Sequence, residues 1–78
     1  MAIFFIDVHD GKYFTHDDFG TDFQSPEAAR DQAMRTLLDF ARGTQPTDED
    51  RAFVATVRDA NGDAIYQAKL SFSSAKIS

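Results

Sequence analysis

The stretch Ser25–Gly43, SPEAARDQAMRTLLDFARG, decides the fold, because it is the one convincing helix and the segments on either side of it read as strands and turns. Ser25 can accept a hydrogen bond from a first-turn N–H, Pro26 suits the first helical position, and Glu27 sits at the positive end of the helix dipole. At the other end Arg42 faces the negative pole, and Gly43 suits a left-handed cap. Between them Ala29, Ala33, Met34, Leu37, Leu38, Phe40 and Ala41 recur at steps of three and four. Charged residues fill the remaining arc. One face is therefore expected to be buried, with Leu37 and Leu38 in the core.

Upstream, Ala2–His9 is rich in Phe, Ile and Val, and the Asp10-Gly11 pair after it signals a hairpin. A two-residue loop there pairs His9 with Lys12, Val8 with Tyr13 and Phe5 with His16. One face of that hairpin gathers Phe4, Ile6, Val8, Tyr13 and Thr15, and the other gathers Ile3, Phe5, Asp7, Phe14 and His16. Asp17-Asp18-Phe19-Gly20 reads as a turn, and Thr21–Gln24 as a short extended piece carrying Phe23 to the edge of the core.

Downstream, Thr44–Asp50 reads as a polar, mobile loop. Arg51–Asp59 and Ala64–Ser73 then form a second hairpin about Asn61-Gly62. Its alternation places Phe53, Ala55, Val57, Ala64, Tyr66, Ala68 and Leu70 on the helix side, with Val54, Thr56, Arg58, Ile65, Gln67 and Lys69 opposite. Ser73–Ser78 is a short tail without strong preference. The fold class is α+β: an antiparallel sheet of two hairpins with one helix on one face, in the order β-β-(short β)-α-β-β.

At 78 residues the chain reads as one small domain over residues 1–78, too small to hold a deep pocket once its helix has packed. It has no Cys, so disulfides and thiolate metal sites are excluded. The net charge of -5 comes from the two flanks of a neutral helix, and an acidic surface without a basic stripe repels phosphate backbones. No nucleic-acid partner is expected. The opening apolar run is cut by Asp7 and lacks a basic lead, so neither an export signal nor a membrane span is expected, and the cytoplasm is the default location.

No constellation amounts to an active site. A metal site from Asp7, His9, His16 and Asp17 fails on distance, since the two imidazoles lie four ladder positions apart, roughly 13 Å. Asp59-Ala60-Asn61-Gly62-Asp63 is similar to the start of a calcium loop, but Ala64 replaces the required Gly and Leu70 the closing Glu. The serines have no nearby imidazole for hydrolysis, and no glycine-rich phosphate loop occurs. A metal, a cofactor and catalytic residues are therefore not expected, and a small hydrolase stands only as a distant alternative.

F-F-I-D-V-H-D-G at Phe4–Gly11, D-D-F-G-T at Asp17–Thr21, E-A-A-R at Glu27–Arg30 and F-V-A-T-V-R-D-A-N-G at Phe53–Gly62 resemble a family of small bacterial domains of unknown function. Its members open on Tyr-Phe-Phe-Asp, and Ile6 stands in the second Phe position. The resemblance implies a fold and no activity. The order of strands, Asp-Gly turn and S-P-E-A-A-R-D-Q-A helix is also similar to the N-terminal lobe of HicB-type antitoxins, though their Pro-Asp-rich segment before the helix is missing. That likeness implies a toxin-blocking partner role as the alternative.

The sheet face turned from the helix carries Ile3, Phe5, Phe14, Val54 and Ile65, an apolar set that a small monomer does not leave in water. A non-enzymatic interaction module is therefore expected, either a homodimer through that face or a binder of an unidentified protein.

Overall fold

The computed structural model describes residues 2–11, 13–43, 51–72 and 77. Among these described residues, five strands and one helix follow in the order β1 (Ala2–His9), β2 (Phe14–Thr15), β3 (Thr21–Phe23), α1 (Pro26–Arg42), β4 (Arg51–Arg58) and β5 (Ala64–Phe72). The fold is α+β with a wholly antiparallel sheet. Expectations for Lys12, for the loop at 44–50 and for the tail apart from Ile77 lie outside the described residues. Among the described residues no helix is long and apolar enough to cross a membrane.

Ser25 caps α1 from an extended backbone, its Oγ accepting the Ala28 N–H at 3.1 Å. Gly43 closes the other end with φ -83°, so the left-handed cap that its identity suggests is not formed. Its N–H instead continues the helical pattern to the Asp39 carbonyl at 3.2 Å. The buried stripe is Ala29, Ala33 and Leu37, a line of four-residue steps. Leu38 is 54% exposed and Met34 52%, which corrects the expectation of a buried Leu38. Ala29 and Ala33 present no bulk, so the helix seats along that narrow line, and Leu38 falls a full 100° around the axis from Leu37.

The strand order is β2-β1-β4-β5, with β3 also on β1. β1 and β4 form the centre, joined through Phe5 to His9 against Arg58 to Val54. This pairing unites the two hairpins into one sheet. It also brings Phe4 and Val8 of β1 together with Phe53, Ala55 and Val57 of β4 under the helix stripe, where all five are buried. Ile6, Phe23, Tyr66, Ala68 and Leu70 close the rim of that core.

Both hairpin turns differ from the two-residue form that their Asx-Gly pairs suggest, because that form needs positive φ at both turn positions. Among the described residues only Gly11, Gly20 and Gly62 have positive φ. In the first connection the Asp10 carboxylate accepts the Tyr13 N–H at 2.7 Å. Val8 therefore faces Thr15 and His9 faces Phe14, a shift of two that leaves every side chain on its expected face.

In the second turn Asp59 Oδ1 accepts the N–H groups of Asn61 and Asp63 at 2.9 and 3.0 Å, and Gly62 N–H reaches the Asp59 carbonyl at 2.9 Å. The ladder has an irregularity between Val57 and Arg58, so Ala64 stands opposite Arg58 and is exposed rather than in the core. Beyond it Val57, Ala55 and Phe53 face Tyr66, Ala68 and Leu70 as the alternation predicts.

Candidate functional site

The ionisable cluster of the described residues lies on the sheet face turned from α1, where β1 offers Asp7 and β4 offers Arg58. Phe5 pairs directly with Arg58, so Asp7 is the diagonal neighbour of that arginine. Arg58 Nε donates to Asp7 Oδ2 at 2.6 Å and Nη2 to Oδ1 at 3.1 Å, a two-pronged pair. The same Nη2 reaches the Asp17 carbonyl at 3.0 Å, and the guanidinium carbon lies 4.9 Å from the Phe5 ring centroid.

Asp17 enters through a gap in the ladder. β2 pairs with Val8 and His9 and β3 with Ala2, Ile3 and Phe4, which among the described residues leaves the middle of β1 without a strand on that side. There Asp17 Oδ2 accepts the Ile6 N–H at 3.1 Å, in the place of a neighbouring strand's carbonyl, and the Asp17 N–H donates to Asp7 Oδ1 at 2.9 Å. Asp17 Oδ1 accepts from Phe19 and Gly20, which closes the bend. His16 completes the rim, its Nδ1 3.4 Å from Asp7 Oδ1.

Asp7 is only 6% exposed. Burial pushes its carboxyl up, but the hydrogen bonds from Arg58 and Asp17 and the charges of Arg58 and His16 outweigh this and hold it below its ordinary 3.8. Asp17 behaves alike: burial and the Asp7 charge oppose ionisation, and the N–H groups of Gly20, Ile6 and Phe19 win. Arg58 is held protonated more firmly than usual, first by its hydrogen bond to Asp7. Among the described residues no buried side-chain nitrogen or oxygen lacks a partner. The cluster is thus closed on itself, tying the β2–β3 edge across β1 to β4.

This cluster divides the apolar set expected on the open face. Phe5 is half-buried beneath the Arg58 guanidinium, and Ile3 packs with it against the Asp17–Gly20 bend. Ile3 is 42% exposed and Ile65, beside the β4–β5 irregularity, 38%. At the far end Phe14 and the half-buried Val54 both flank His9. Phe14 is 63% exposed and is stacked between His9 and His16, with centroids 6.2 and 6.1 Å away. The two imidazoles are thus separated by an aromatic ring, and His16 lies beside Asp7 rather than Phe5. No group of three His, Cys, Asp or Glu side chains placed to hold a metal occurs among the described residues.

Two features escape a reading of the sequence. The Asp7–Arg58 pair depends on β1 lying beside β4, and its only local trace is Asp7 inside the apolar first strand and Arg58 at the end of the fourth. The second is a groove between α1 and β5, lined by Arg30, Met34, Leu37 and Leu38 and by the strand from Gln67 to Leu70. Its trace is that the helix has more apolar positions than one buried stripe needs.

A family model described as a domain of unknown function matches residues 3–71. No curated protein and no solved structure matches the chain.

Proposed function

The chain belongs to the DUF6894 family, a domain of unknown function, and we propose that it is a non-enzymatic protein-interaction module that associates with a second copy of itself. The observation that carries this reading is the exposure of Met34 and Leu38 beside β5, the last strand of the sheet. Apolar side chains next to an unpaired strand edge favour association, through both the hydrophobic effect and the bare backbone groups. The ionisable cluster supports the reading from the other side, since its carboxylates and guanidinium are engaged with one another and with backbone.

Self-association makes thermal stability depend on protein concentration. Melting curves recorded over a hundredfold range of concentration should shift upward as the chain is concentrated. Superimposable curves over that range would contradict the proposal.

A further inference from the structure

We infer that two copies pair β5 with β5, antiparallel, about a twofold axis passing beside Ala68 and Met34, so that their sheets join edge to edge. This rests on the self-association reading and names its surface. β5 is last in the strand order and, among the described residues, no strand pairs with its outer edge. It is nine residues long. Strands meant to stay at an edge are short, bulged, or guarded by proline and several charges. β5 has no proline and a single charge, Lys69, and its ladder irregularity falls at Ile65, before the stretch from Tyr66 to Leu70 that pairs here.

The groove beside that edge sets the level of the axis. The Arg30 guanidinium carbon lies 5.5 Å from the Tyr66 ring centroid, so the helix and strand are aligned there. Four residues of helix rise about 6 Å and two of strand about 6.6 Å. Met34 therefore stands level with Ala68, and Leu38 level with Leu70, all four lining the groove.

Self-complementarity favours a second copy as the occupant. Antiparallel pairing centred on Ala68 sets Tyr66 opposite Leu70 of the other copy on the helix side, an aromatic against a branched aliphatic. On the open side it sets Lys69 opposite Gln67, whereas a register centred on Lys69 would oppose two cations. Ala68 faces Ala68, and its small side chain leaves room for Met34 of both copies to meet over it. The helix charges agree: Glu27 in the first turn and Arg42 in the last exchange ends under the same rotation, which places opposite charges together. A twofold interface requires that one surface carry both halves of each contact.

The test exploits the meeting of Met34 with itself. Light scattering, with far-UV circular dichroism as the check on folding, is applied to the wild type, to Met34→Glu and to Met34→Lys. The expected result is a wild-type dimer, two folded monomeric variants with self-affinity weakened at least tenfold, and a dimer restored when the variants are mixed in equal amounts. A dimeric wild type whose variants also stay dimeric, or whose mixed variants stay monomeric, overturns this interface and leaves self-association standing. A wild type that is monomeric at high micromolar concentration overturns both. Should a variant fail to fold, hydrogen exchange of the wild type decides. Slower exchange at Gln67–Leu70 on concentration supports the interface, and unchanged exchange there contradicts it.

Discussion

Asp7 and Arg58 lie 51 residues apart in sequence, and the guanidinium Nε meets the carboxylate at 2.6 Å. The pair couples the first strand to the fourth on the face opposite the hydrophobic core, and Asp17 extends the tie to the edge of the sheet. Removing the carboxylate charge should therefore weaken the whole sheet rather than one loop. Asp7→Asn is expected to cost about 1–3 kcal/mol, the range for leaving buried polar groups poorly matched. Urea unfolding measures it, and a change under half a kcal/mol would mean that the pair contributes nothing net.

Stability should fall in acid for the same reason. Asp7 and Asp17 have folded-state pKa values below their ordinary 3.8, so the unfolded chain binds more protons in that window. Their contribution is fully present above the ordinary value and is lost as pH falls from it through the lowered one. Melting temperatures recorded between pH 6 and pH 2 should drop steeply below about pH 4. The double variant Asp7→Asn, Asp17→Asn should start lower and drop less.

Leu37 is 3% exposed and Leu38 54%, although both belong to the same apolar run. Leu37→Ala should cost about 2–5 kcal/mol, as core truncations do. Leu38→Ala, measured by urea melts on the dissociated protein, should stay within about 0.5 kcal/mol. Equal costs would place the helix face incorrectly.

Gly20 has φ +74°, and a Cβ built there would sit 2.6 Å from Ile3 Cγ2 and 3.0 Å from Phe5 Cε1. Gly20→Ala should destabilise by about 1–3 kcal/mol, since backbone strain and a side-chain clash coincide. The neighbouring Phe19, 93% exposed, serves as the control. Its change to Ala should be nearly silent in the same melts.

The helix is legible in the sequence because Ser25, Pro26, Glu27 and the four-residue apolar steps agree with one another, and the hairpins because Asx-Gly pairs separate alternating strands. The faces survive an incorrect first turn, since a slip of two keeps each side chain on its side. Turn chemistry is less legible: the Asp10 and Asp59 carboxylates bind nearby N–H groups and lengthen both loops. What brings Asp7 to Arg58 is the neighbour relation of β1 and β4, which no short-range pattern encodes. The apolar set Ile3, Phe5, Phe14, Val54 and Ile65 is legible as a face. Its division by the Asp7–Arg58 pair is not, for the same reason.

Because a second copy of the chain is proposed to dock along the edge of β5 beside Met34 and Leu38, the molar mass of the wild type in solution is the deciding measurement. Light scattering from low to high micromolar concentration should rise from the mass of the 8.7 kDa chain to twice that value and stop there. A mass that stays at 8.7 kDa throughout would contradict the account.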